Sequence, residues 1–169
     1  MDLSPLFLWL EALPLSEAIK LSAWMFPTIE SLHVIGVALV FGVIAIVDLR
    51  LLGIASHSRR FTEVAHDCLH WTWAAFVLAV VTGLLMFISN ATTYGNNTLF
   101  WWKMALLVLA GINMFIFEVI TTRSVANWDA PHAAIPNAAR IAGFLSLGLW
   151  MGVIATGRWI GYTLYALPF

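Results

Sequence analysis

Charged side chains are scarce in this sequence. Asp, Glu, Lys and Arg make up 10% of its 169 residues, while hydrophobic residues make up 62%. Soluble domains carry about 25% charged residues, so this composition excludes a water-soluble fold. A net charge of -1 without a basic cluster excludes a nucleic-acid partner. The single cysteine, Cys68, excludes an internal disulfide and a cysteine-based metal site.

Long apolar stretches take the place of the missing charge. Each is long enough to cross a hydrocarbon core of about 30 Å as a helix. We therefore predict an all-α fold, a polytopic membrane four-helix bundle in residues 27–162 that contacts the lipid bilayer. Residues 1–26 are predicted to be an interfacial segment of two short helices split by Pro14, with Ser16 capping the second, and 163–169 a C-terminal tail. The predicted spans are 27–52, 68–89, 99–121 and 137–162.

The basic residues predict the orientation of the bundle. Loops on the cytoplasmic side of a membrane carry an excess of Lys and Arg. The second link, near Asn96, has no basic residue, whereas the first and third links have several: Arg50, Arg59, Arg60, Arg123 and Arg140. We therefore expect the first and third links in the cytoplasm and both termini on the opposite, periplasmic side of the membrane.

Four ionisable residues are predicted to share one layer in the outer half of the membrane. Glu30 and His33 lie near the start of the first span, Lys103 near the start of the third, and Arg158 near the end of the fourth. An ionisable group inside a membrane costs at least about 2.5 kcal/mol and usually marks function. We predict that these side chains converge on a cofactor site. The alternative is that Lys103 and Arg158 extend to the membrane surface, with Glu30 pairing one of them.

Other polar and small residues have a structural interpretation. Asn113, at mid-membrane, should find a hydrogen-bond partner on a neighbouring helix. On the fourth span, glycines fall on two sides of the helix, which favours close approach of two neighbours. Those glycines are Gly148, Gly152, Gly157 and Gly161.

The five histidines are the candidate metal ligands. His57 and His132 fall in predicted loops and are expected to be solvated. His66 and His70 share a helix face and could chelate a metal, but no third ligand is near in sequence. A haem ligated by both His33 and His70 is excluded, because antiparallel helices would place them on the order of 20 Å apart.

The chain resembles a known family at several of these residues. The segments PTIESLHVIGVALVFG, TWAAFVLAVVTGLLMF, FWWKMALLVLAGIN and LWMGVIATGRWIGY together are similar to a domain-of-unknown-function family of small bacterial inner-membrane proteins. More distantly, His33 and Lys103 resemble residues of the membrane-bound haem-b protoporphyrinogen oxidases and of the copper-resistance D membrane proteins. The distant resemblance implies haem b as a cofactor and carries over no substrate.

Three classes of function remain open from the sequence. The first is a haem-b-binding, redox-linked membrane protein in which His33 ligates the iron, Glu30 orients it, and Lys103 and Arg158 compensate charge. The second is a non-catalytic subunit that packs against membrane protein partners or forms a homo-oligomer. The third is a proton or metal transporter, with Asp48, Asn113 and Glu118 extending a polar path. The sequence assigns no catalytic residue.

Overall fold

The protein is mostly helical in the part that is described. The computed structural model describes residues 3–56, 58–130 and 134–165, and no strand occurs within them. Seven α-helices follow one another along the chain: α1 (Ser4–Glu11), α2 (Pro14–Leu21), α3 (Met25–Leu52), α4 (Phe61–Ser89), α5 (Ala91–Gly95), α6 (Thr98–Ile116) and α7 (Asn137–Tyr165).

The long helices α3, α4, α6 and α7 are each long and apolar enough to cross a membrane, which confirms the predicted all-α membrane bundle. They run antiparallel, and backbone packing joins α4 to α3, α3 to α7, and α7 to α6. We call the end at which α3 and α6 begin the terminal end, because α1, α2 and α5 also lie there. The opposite end, at which α3 ends and α4 begins, is called the loop end.

Helix α4 begins at Phe61, earlier than the predicted start at Cys68. The polar residues of its first two turns lie on an exposed face, while Phe61 and Val64 are buried. Asp129 caps this helix by accepting a hydrogen bond from the Thr62 amide at 3.0 Å. The apolar run marks only the part of a helix that meets lipid, so a helix that extends beyond the membrane is longer than its hydrophobic stretch.

The loop end is closed by an apolar cluster. Leu51, Phe61, Trp128 and Ala139 are buried against one another. Helix α6 reaches this cluster through a π-helical turn at Phe117–Thr121, which the sequence predicted as ordinary helix. The described chain then continues as a 3-10 helix at Thr122–Asn127 and brings Trp128 into the cluster.

The N-terminal helices α1 and α2 are hydrogen-bonded to the terminal end of the bundle. Ser16 is fully buried and donates a hydrogen bond to the Ile88 carbonyl of α4 at 3.0 Å, so the prediction that it caps α2 was wrong. Glu11 accepts a hydrogen bond from the Thr92 amide of α5 at 2.7 Å and another from Lys20 at 3.0 Å. Partial burial acts to raise the pKa of Glu11, but these hydrogen bonds outweigh it and the pKa lies below its ordinary value.

Helices α3 and α4 touch backbone to backbone at Gly36. A side chain added there would begin 3.1 Å from the Ala79 amide nitrogen, so the helices would have to separate. We expect Gly36→Leu to lower the free energy of unfolding by about 2–3 kcal/mol, measured by denaturant titration in detergent. Gly42→Leu, on the same helix with no atom within 4 Å of the new carbon, is the matched control. Equal stability of the two variants would contradict the close contact.

Candidate functional site

His33 lies on α3 with its ring against α4. Its Nδ1 atom is 2.9 Å from the Ala79 carbonyl oxygen and 3.1 Å from the Thr82 hydroxyl oxygen. The Thr82 hydroxyl donates its own hydrogen to the Leu78 carbonyl at 2.6 Å. Both neighbours of Nδ1 are therefore acceptors, and we assign the hydrogen to Nδ1. That tautomer leaves Nε2 with a free lone pair, which is the form of histidine that binds a metal.

The contact between α3 and α4 holds this ring in place. A side-chain carbon at Gly83 would lie 3.0 Å from His33 Cε1, so only glycine leaves room for the ring. One turn along α3, Gly36 meets the Ala79 backbone at the close distance given above. The imidazole is half-buried and fixed by a hydrogen bond to the main chain, so its orientation depends on helix packing and not on a mobile side chain.

Lys103 reaches the same layer from α6. Its side chain lies along α7 at Gly157, where an added carbon would be 3.4 Å from Nζ. The ammonium is close enough to His33 to act on the ring electrostatically. Within the described part of the chain, Lys103 forms no hydrogen bond or ion pair. A half-buried cation in a membrane helix without a partner is costly and marks a place where a ligand could neutralise it.

Glu30 and Arg158 do not join this pair. Glu30 is exposed, and the partners of His33 are the two α4 groups and not this carboxylate. On an isolated helix Glu30 shares its azimuth with Asp48, which is buried. Where two helices cross at an angle, the same side of a helix can be packed against its neighbour at one end and exposed at the other. The position of Glu30 around α3 therefore did not predict whether its side chain is buried.

Arg158 extends along its own helix toward the terminal end. It is exposed, its guanidinium carbon lies 5.1 Å from the centre of the Tyr162 ring, and Nη2 donates to the Tyr162 hydroxyl at 3.4 Å. Tyr162 is one turn nearer the end of α7. Arg158 is therefore exposed on α7, whereas Lys103 is half-buried against Gly157.

Aromatic rings connect α4 with α6 and with the π-helical turn that follows α6. In the described chain α4 and α6 lack the backbone packing that joins the other neighbouring helices. They meet through Phe87 and Phe100, stacked at 5.2 Å near the terminal end, and through Phe61 and Phe117 at 5.7 Å near the loop end.

Among the described residues, the other histidines, His66 and His70, form no comparable site. His66 and His70 are exposed, with ring centres 5.8 Å apart. The described residues contain no group of three or more His, Cys, Asp or Glu side chains that could hold a metal ion. His57 and His132 lie outside the described residues.

The small residues of α7 and Asn113 serve helix packing. Asn113 donates to the Ala142 carbonyl of α7 at 3.0 Å, which confirms the expected partner on a neighbouring helix. Gly152 meets Leu106 and Gly157 meets Lys103, both from α6, but nothing lies within 4 Å of a side chain added at Gly148 or Gly161. Each predicted pair, Gly148 with Gly152 and Gly157 with Gly161, therefore has one member against α6 and one without a neighbour in the described chain. These glycines do not bring a second helix close to α7.

These features define an all-α, multi-pass membrane protein with four spanning helices. The chain belongs to the family described as "Family of unknown function (DUF6644)", which matches residues 6–163. No curated protein and no solved structure matches the chain.

The sequence did not single out the α4 side of the site. Ala79, Thr82 and Gly83 lie in an uninterrupted apolar run, and a main-chain carbonyl has no signature in a sequence. The adjacent Thr82 and Gly83 in mid-span were the available signal, because small and hydroxyl residues in membrane helices mark close helix contacts.

Proposed function

We propose that this protein binds haem b in the terminal half of the bundle, with His33 as an axial ligand, and serves a redox-linked function in the membrane. The observation that carries the proposal is the hydrogen bond from Nδ1–H to the Ala79 carbonyl. Haem-ligating and metal-ligating histidines commonly donate their other ring nitrogen to a carbonyl or carboxylate, which fixes the tautomer and raises ligand basicity. His33 makes such a hydrogen bond to the Ala79 carbonyl.

The basic residues near His33 would suit a group with acidic substituents. Lys103 lies in the same layer without a partner in the described chain. Its ammonium would suit a haem propionate, and only after losing its proton could its amine ligate the iron. Arg158 would reach a propionate by leaving the Tyr162 ring. Glu30, being exposed and hydrogen-bonded to neither ring nitrogen, has no role in this proposal. A bound haem would supply reversible one-electron chemistry in a low-dielectric setting, at a potential set by its ligands and burial.

The visible absorption spectrum of the purified protein tests the proposal. We expect a Soret band that moves on reduction with dithionite, either as isolated or after haemin is added to protein purified without it. A spectrum without this band under both conditions would contradict haem binding.

We further propose that both termini face the periplasm of a bacterial inner membrane, because of the basic residues at the loop end. Asn96 is exposed at the terminal end and Ser58 is exposed at the loop end. In a Cys68→Ser background, a cysteine at position 96 should react with an impermeant thiol reagent in intact spheroplasts. A cysteine at position 58 should react only after lysis. The opposite pattern would reverse the orientation.

A further inference from the structure

A second buried polar group lies at the other end of α3. Asp48 is 5% exposed and lies about 22 Å along the helix from His33, at about 1.5 Å per residue. Ser146 of α7 hydrogen-bonds to its carboxyl group. A side chain added at Gly143 would lie 3.1 Å from the Asp48 carbonyl oxygen, so α3 and α7 are in backbone contact here. The carboxyl group is thus enclosed by helix packing.

One carboxyl oxygen of Asp48 has no partner. Oδ2 is fully buried and makes no hydrogen bond to the described residues. One turn nearer the loop end, Leu51 belongs to the apolar cluster, and Val47 packs against that cluster. Apolar side chains therefore separate the carboxyl group from water at the nearer end of the bundle.

No cation of the described residues forms an ion pair with this group. Burial disfavours its charged form, and Ser146 hydrogen-bonds to it. Arg50 is also buried, but it lies about 200° around α3 from Asp48. Its Nε donates a hydrogen bond to the Arg59 carbonyl at 3.1 Å. The ionisable residues near this level of α4 and α7 have exposed side chains: Glu63, His66, Asp67 and Arg140.

We propose that Asp48 is a proton-binding site within the membrane and is a neutral carboxylic acid at neutral pH. An ionised carboxylate without a cation in an apolar interior is far more costly than the neutral acid, so such groups bind a proton instead. The proton resides on Oδ2, and the other oxygen accepts from Ser146. Exchange with water requires the contact between α3 and α7 to open. This site is separate from the one proposed at His33 and does not depend on haem.

Infrared spectroscopy of the purified protein in an ester-free detergent tests this inference. At pH 7 we expect a carbonyl stretch of a protonated carboxyl group that disappears in Asp48→Asn. Asp67→Asn is the matched control, because Asp67 is an exposed aspartate on α4 that pairs with Arg59 at 2.6 Å. Ser146→Ala should shift the band to higher frequency, since the hydrogen bond to the carboxyl group is lost. A purely structural role for Asp48 would produce neither signal.

Two outcomes would overturn the inference. One is a wild-type spectrum at pH 7 identical in this region to that of Asp48→Asn. The other is a band that grows only as the pH falls through the ordinary pKa of aspartate, about 3.9. If Asp48→Asn fails to fold, the pH series on the wild type and the shift in Ser146→Ala decide the question. A band at pH 7 that is unmoved in Ser146→Ala would also contradict it.

Discussion

Replacing His33 by alanine is expected to abolish haem binding. The substitution removes the Nε2 lone pair that would bind the iron. No other histidine of the described residues lies near this site. Loss of a group that merely orients a ligating histidine typically costs about 10–100-fold in affinity, so loss of the ligand itself should exceed about 100-fold. The measurement is the haem-to-protein ratio of the purified variant, from the pyridine haemochrome and the protein absorbance, followed by a titration with haemin.

The control for this experiment is His70→Ala. His70 is exposed on α4, toward the loop end from the Ala79–Gly83 contact with His33. Its loss should leave the haem content unchanged. Thr82→Val keeps the size of the side chain and removes one acceptor of Nδ1–H, so it should reduce affinity without abolishing binding. Haem retained in His33→Ala but lost in His70→Ala would reverse the ligand assignment.

Replacing Lys103 by methionine is expected to raise the stability of the protein and to weaken its binding of haemin. Methionine keeps the unbranched stem and removes a charge that has no partner in the described chain. Removal of an uncompensated cation from a membrane helix should raise the free energy of unfolding by about 1–3 kcal/mol. The same change should weaken haemin binding by about tenfold or more, because an ionic contact to a propionate is lost. Unfolding of the haem-free protein in denaturant and a haemin titration measure the two effects.

Lys20→Met serves as the control for Lys103→Met. Lys20 is at the surface, where its salt bridge to Glu11 at 3.0 Å is worth at most about 1 kcal/mol. We expect a small loss of stability and no change in haemin binding. If Lys103→Met were destabilising instead, the ammonium would have to be paired within the bundle. The argument that it is available to bind a haem propionate would then fail.

The spans could be predicted from the sequence because lipid imposes one simple requirement, a sufficient length of apolar residues. The start of α3 differs from its predicted position by two residues, at Met25 instead of Pro27. The start of α4 could not be predicted in this way, because Phe61 and Val64 are buried by protein beyond the apolar run. The π-helical turn at Phe117–Thr121 has no pattern in hydropathy at all.

The candidate site was predictable only in part. The cost of a charge in a membrane singled out His33 and Lys103, and the antiparallel topology predicted their common layer. The same argument could not tell which long side chain turns inward. Lys103 lies beside Gly157, whereas Arg158, the next residue along α7, finds Tyr162 one turn away on its own helix. Whether a long side chain turns inward depends on which helix packs opposite it. The residues around it in the sequence do not show which helix that is.

The attachment of the N-terminal helices also sets an order of events during biosynthesis. Ser16 bonds to Ile88 and Glu11 to Thr92, partners that are 72 and 81 residues further along the chain. At about 5–20 residues per second, the ribosome needs roughly 4–16 seconds to make the later partner after Glu11. During that interval α1 and α2 lack these partners, and the exposed side chains of Leu8 and Trp9 can contact the membrane surface. Helices α1 and α2 therefore reach these contacts only after α4 and α5 have been made.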